Sequence, residues 1–135
     1  MIGIWGNNFV KTIMNLAKER NELTVVDDQI GSPTFSYNLA VFLLSLMYTE
    51  AYGIYHATNS GYCSWYEFAC AIIDNLGIKG ISLRPIKTSE LRRPASRPPN
   101  SVLVSMSIGN SELSCLPPWQ DGLLRFIEEL KKRGN

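Results

Sequence analysis

The sequence predicts an α/β fold with few short strands and about four helices. Helix-period and strand-like segments alternate, and their order reads helix, strand, helix, strand, helix, strand, loop, helix. Three short strands separated by irregular loops are too few for a complete doubly wound sheet. At 135 residues, with 45% apolar and 19% charged side chains, the chain has the size and balance of a single globular domain over residues 1–135 with a core of its own.

The first helix is expected over residues 8–20. There Phe9, Val10, Ile13, Met14, Leu16 and Ala17 fall on one face, Asn7 or Asn8 can cap the start, and Lys18 and Arg20 suit the C-terminal dipole. "ELTVV" reads as a strand running into the turn formers of "DDQIGSPT". From Ser36 a second helix is apolar nearly all round, a pattern that predicts burial between other elements. "GIYHATN" is the next strand candidate, closed by the turn signal Asn59-Ser60-Gly61. Ser64 and Glu67 then form an S-x-x-E capping box for a helix that stops at Gly77, with Phe68, Ala71, Ile72 and Leu76 as its buried face. "ISLRPI" is a third strand. Beyond it lies a loop stiffened by Pro94, Pro98 and Pro99. The closing helix begins at "PPWQD", buries Leu123, Leu124, Phe126, Ile127 and Leu130, and ends in cationic residues.

Composition excludes several classes of function. A net charge of +1 gives no global field for nucleic acid or a membrane surface, so any anion site must be local. Cys63, Cys70 and Cys115 form no CxxC pair, and with a single histidine they do not make the usual four-ligand zinc site. They read as reduced, mostly buried thiols. The apolar run "LAVFLLSLM" is far shorter than a membrane span, and the N-terminus has no signal-like pattern, so a cytoplasmic protein is expected.

Neither G-x-G-x-x-G nor G-x-x-x-x-G-K-[ST] occurs, and no tyrosine stands four residues before a lysine. His56, in a strand pattern, reads as a hydrogen-bonded structural histidine; Asp27 and Asp28, adjacent in an extended chain, read as turn residues rather than an acid pair. The loop with Arg92, Arg93 and Arg97 leaves two readings open. It is either a solvated basic loop or a phosphate site, in which the planar guanidinium fork meets phosphate oxygens and Asn100 and Ser101 add neutral hydrogen-bonding groups. Trp65 and Tyr66, opening the capped helix, suggest groups that stack on a ligand.

Four blocks, "GNNFVKTIMNLAKE", "VVDDQIGSPT", "GIYHATN" with "GYCSWYEFA", and "RPPNSVL", resemble in order and spacing the C-terminal half of the dTDP-4-dehydrorhamnose reductase family, extended short-chain dehydrogenase/reductases. The resemblance covers essentially the whole chain. It implies the C-terminal, substrate-binding part of that fold without the N-terminal Rossmann half. Members reduce dTDP-4-dehydro-L-rhamnose to dTDP-L-rhamnose with NADPH or NADH for polysaccharide biosynthesis. The half resembled here supplies most of the sugar-nucleotide pocket.

On the matching positions the resemblance places Asn8, Thr34, Arg97, Asn100 and Ser101 along the nucleotide-sugar cleft, with Arg97 on diphosphate oxygens. It recasts "SWYEFA" as a structural block. It assigns no catalytic, cofactor-binding or metal residue here, because the tyrosine acid and its lysine belong to the other half. The expectation is therefore a sugar-nucleotide-binding portion inactive by itself. The alternative is a non-catalytic nucleotide-sugar-binding or regulatory module. No cofactor is expected for the chain alone. A dTDP-sugar, self-association or a missing N-terminal half are the expected partners, with no nucleic acid or membrane. Asn38 and Val104 stand where the family has aspartate, losses of charge read either as relaxed constraint or as surface variation.

Overall fold

The computed structural model describes residues 1–91, 97–104 and 114–134. In order it contains α1 (Phe9–Glu19), β1 (Glu22–Val26), β2 (Ile30–Gly31), α2 (Ser36–Met47), β3 (Cys63–Ser64), α3 (Trp65–Leu76), β4 (Ser82–Ile86), a 3-10 turn (Thr88–Glu90) and α4 (Trp119–Lys132). These form two compact units. One holds residues 1–4, 32–61 and 103–135; the other holds residues 5–31 and 62–102.

The second unit packs α1 and α3 with a two-stranded parallel sheet in which β1 pairs with β4, Glu22 opposite Ser82 through Val26 opposite Ile86. α1 starts where Asn8 Oδ1 accepts the Lys11 N–H at 3.1 Å, and it buries Val10 and Ile13. α3 starts on the predicted capping box. Ser64 Oγ accepts the Glu67 N–H at 3.0 Å, and Glu67 Oε2 accepts the Ser64 N–H at 2.7 Å. It ends on Gly77 at φ +67°, a left-handed conformation that costs a residue without Cβ little. Its buried face is Phe68, Ala69, Ile72 and Ile73; Ala71 and Leu76 are only half-buried, so the face is rotated from the predicted one.

In the first unit α4 buries Trp119, Leu123, Phe126, Ile127 and Leu130 at helical spacing, while Leu124 is exposed rather than buried. Phe126 meets Phe35 edge to face, ring centroids 5.9 Å apart. Gly122 sits where a Cβ would lie 3.1 Å from Phe35 Cβ and 3.3 Å from Asn38 Nδ2, so any larger residue would push these neighbours back by a few tenths of an ångström.

Four expectations need correction. "GIYHATN" forms no strand. Its alternation is real, with Tyr55 and Ala57 packed against the Phe42–Leu116 cluster and Ile54 and His56 exposed. No described strand lies alongside to complete a ladder, and His56 is therefore not a strand residue. α2 is not sandwiched within the described residues: it buries only Asn38 and Phe42 and exposes Val41, Leu43, Leu44 and Met47. The thiols are all free but not mostly buried, because Cys63 is buried, Cys70 half-buried and Cys115 exposed. Asn38 is not surface variation either. It is 5% exposed, and its Nδ2 has no hydrogen-bond partner among the described residues; Val104, by contrast, is exposed.

Candidate functional site

The second unit contains a cavity of about 400 Å³ whose position follows from the ends of its strands. Asp27 continues the parallel ladder beyond β1, its N–H reaching the Ile86 carbonyl at 3.0 Å, and its carboxylate pairs with Lys87 Nζ at 2.9 Å. That hydrogen bond, with the surrounding negative charge, raises the Lys87 pKa.

Asp28 turns the other way and grips the start of the 3-10 turn. Its carboxylate accepts the Thr88 hydroxyl at 2.6 Å and the Thr88 N–H at 2.9 and 3.0 Å. These bonds, the hydroxyl's foremost, lower the Asp28 pKa from the ordinary 3.8, so the group is a carboxylate at neutral pH. Asp27 and Asp28 are thus turn residues, as expected, each tied to the chain leaving β4.

Ile30 then serves two neighbours at once. β2 pairs antiparallel with β3, Ile30 opposite Ser64, which brings the start of α3 alongside; the Trp65 N–H reaches the Gln29 carbonyl at 3.3 Å. Ile30 also bridges Asn100: its N–H donates to Pro99 O at 2.8 Å, and its carbonyl accepts the Ser101 N–H at 2.9 Å and the Ser101 hydroxyl at 3.1 Å. A Cβ on Gly31 would lie 2.9 Å from Ser101 Oγ, so glycine admits the segment. Pro99, Asn100 and Ser101 are thereby pinned, and Arg97 lines the same cavity as Trp65.

Phe9, Ile13, Leu16, Ile86 and Leu91 give the cavity apolar walls, with Trp65 and Phe9 in ring contact at 4.7 Å between centroids. Thr12, Thr24 and Gln29 contribute polar groups, and Arg97 is the one charged side chain among the described lining residues. An apolar, aromatic pocket with one cation and few neutral polar groups suits a planar, anionic ligand.

Of the sequence-predicted residues, Arg97 lines the cavity and Asn8 caps the helix that forms one of its walls. Asn100 and Ser101 hold the Arg97 segment: Asn100 Oδ1 accepts the Val102 N–H at 2.9 Å, and Ser101 bonds Ile30. Thr34 belongs to the first unit, where it is buried; its hydroxyl donates to Ser32 O at 3.1 Å and accepts the Asn59 N–H at 3.3 Å. Arg92, Arg93 and Pro94 lie outside the described residues.

Sequence reasoning missed Phe9 and Gln29, which carried no motif, and set Trp65 aside as structural; it is both a helix-opening and a cavity-lining residue. Among the described residues no cluster of histidine, cysteine or carboxylates could hold a metal ion, and no helix is long and apolar enough to cross a membrane.

The family model described as the RmlD substrate binding domain matches residues 1–132. Spore coat polysaccharide biosynthesis protein SpsK of Bacillus subtilis is 41% identical over 128 residues, covering 94% of this chain and 44% of that protein. dTDP-4-dehydrorhamnose reductase of Escherichia coli is 36% identical, with 93% and 45% covered. The crystal structure of dTDP-4-dehydrorhamnose reductase from Bacillus anthracis in complex with NADP superposes with a TM-score of 0.91 at 42% identity, covering 95% of this chain and 45% of that one. The Clostridium acetobutylicum structure gives 0.89 at 39%, with 96% and 47% covered. The chain spans less than half the length of these relatives.

Proposed function

The chain belongs to the RmlD substrate-binding domain family, within the dTDP-4-dehydrorhamnose reductases, and from that premise we propose that it is the sugar-nucleotide-binding portion of such a reductase. The observation that supports this most is Arg97 lining the aromatic, apolar cavity of the second unit. The guanidinium fork takes diphosphate oxygens, and the Phe9–Trp65 wall takes the planar base. Asn8, Asn100 and Ser101 keep the helix start and the Arg97 segment in place. A cytoplasmic setting accompanies this reading.

The reaction of the whole protein, reduction of dTDP-4-dehydro-L-rhamnose to dTDP-L-rhamnose with NADPH or NADH, requires a bound nicotinamide and a proton donor. These 135 residues contain no glycine-rich phosphate loop and no Tyr-x-x-x-Lys. The residues present do not fit NADP(H), and the chain lacks the tyrosine–lysine pair that would supply the proton. The chain by itself is proposed to be inactive.

Calorimetric titration with dTDP tests the binding reading. Binding weakened about tenfold or more by Arg97→Ala, in line with a charge-assisted contact, is the expected result. Absence of binding at millimolar dTDP would overturn it. Oxidation of NADPH by the isolated chain with dTDP-4-dehydrorhamnose would overturn the proposed inactivity.

A further inference from the structure

No charged side chain stands between Asp28 and Glu50, so α2 is uncharged along its whole length. Tyr37, Val41, Leu44 and Tyr48, the last at its C-terminal boundary, follow one another at intervals of four, three and four residues, the spacing of a seam between packed helices. They are 55%, 46%, 56% and 90% exposed, and Leu43 and Met47 beside them are exposed as well. Together these six side chains present roughly 700 Å² of surface, close to the ~800 Å² that each partner buries in a stable interface of standard size. The seam reads alike from either end: tyrosine, aliphatic, aliphatic, tyrosine. Tyr37 and Val41 also line a cavity of about 640 Å³ within the first unit, together with Phe42, Leu116 and Arg125.

We propose that α2 is a dimerisation surface: its apolar seam docks against α2 of a second copy of this chain, antiparallel and across a two-fold axis. That symmetry sets Val41 of each copy against Leu44 of the other and Tyr37 against Tyr48, so aliphatic meets aliphatic and ring meets ring. Tyr48, the most exposed of the four, is thereby carried to the Tyr37 edge of the other copy's cavity, whose lining gives its ring apolar and cationic neighbours in Leu116 and Arg125. Each copy uses the face once and none is left over, so the product is a closed dimer and not a filament. Removing the six side chains from water supplies the driving force, and an uncharged helix brings no like charges to the axis. None of these residues belongs to the Arg97 cavity, and the inference stands apart from the nucleotide-binding reading.

Sedimentation velocity on the full 135-residue chain at micromolar concentration tests this, and a dimer is the expected result. Val41→Glu and Leu44→Lys, both at exposed positions, should each keep the wild-type circular dichroism spectrum and weaken dimerisation at least about hundredfold, because either change buries two unpaired charges. Mixed in equal amounts, the two variants should form a mixed dimer: the new carboxylate of one chain faces the new ammonium of the other, and the second Val41–Leu44 contact is intact. Leu44→Gln, expected to weaken the dimer about tenfold, serves if a charged variant does not fold. A wild-type monomer, which would assign the face to some other occupant, would overturn the proposal. So would aggregates larger than a dimer, a dimer indifferent to both substitutions, or a mixture of the two variants that stays monomeric.

Discussion

Asn59 Oδ1 accepts the backbone N–H of Phe35 at 2.9 Å, across 24 residues of sequence and in a side chain only 1% exposed. The same amide donates through Nδ2 to Pro117 O at 2.7 Å and Pro118 O at 3.4 Å, and the Asn59 N–H reaches Thr34 Oγ1 at 3.3 Å. One side chain thus ties the chain entering α2 to the chain entering α4. Backbone donors meet the same carbonyls, the Ser60 N–H reaching Pro117 O at 3.0 Å and the Asp121 N–H reaching Pro118 O at 3.1 Å, so the Asn59 amide adds to a junction the backbone also holds.

Asn59→Ala leaves the Phe35 N–H without its partner, while Pro117 O keeps the Ser60 N–H at 3.0 Å and loses only its second donor. At about 1–3 kcal/mol for one orphaned group, partly relieved by entering water, and about 1 kcal/mol for the lost hydrogen bond, a loss of about 2–3 kcal/mol is expected. Chemical denaturation should show a lower midpoint at unchanged slope. A midpoint equal to wild type would mean that Asn59 does not secure this junction.

Stability should depend on Asp28 in acid. Its folded pKa lies below the unfolded 3.8, so its contribution is fully present above 3.8 and is lost as pH falls through the lower folded value. Asp28→Asn is expected to melt lower than wild type at neutral pH, with the gap closing below pH 3.8 as the wild-type carboxylate protonates. Thermal melts across that range decide it. A gap that stays constant in acid would place the stabilisation elsewhere.

The thiols should separate by reactivity. Burial, with a smaller contribution from the nearby Glu67 charge, pushes the Cys63 pKa from 9.0 up to about 12, so it holds almost no thiolate at neutral pH, whereas Cys115 is exposed. With a thiol reagent at pH 8, Cys115 should react in the first phase and Cys63 only on unfolding. Because the folded state favours the protonated thiol, stability should also decline as pH rises from 9.0 toward 12. Fast labelling of Cys63 in the native protein, read by peptide mass mapping, would contradict its assigned environment.

Much of the framework was legible locally. The Asn8 cap, the Ser64–Glu67 box, the Gly77 stop and the apolar spacing of α4 are statements about neighbours within a helical turn or two, and the structure has each of them. The blocks of family resemblance gave Arg97 as a site residue; it lines the cavity, and its role is what the dTDP titration tests. "GIYHATN" shows where such reasoning stops: its alternation is that of a strand, but a strand also needs a partner, and pairing is a tertiary fact.

The sequence by itself determined the helices, their ends and the family, because those rest on short-range chemistry and on motifs in register. Only the tertiary structure decided that Trp65 joins Arg97 at one cavity and that Asp28 and Gln29 converge on Thr88 from 60 and 59 residues away. The physical reason is that hydrogen-bond direction propagates through space. A carboxylate that can only accept orients a hydroxyl, and the hydroxyl orients an amide; none of this is visible in the spacing of "DDQ" and "KTSE" along the chain.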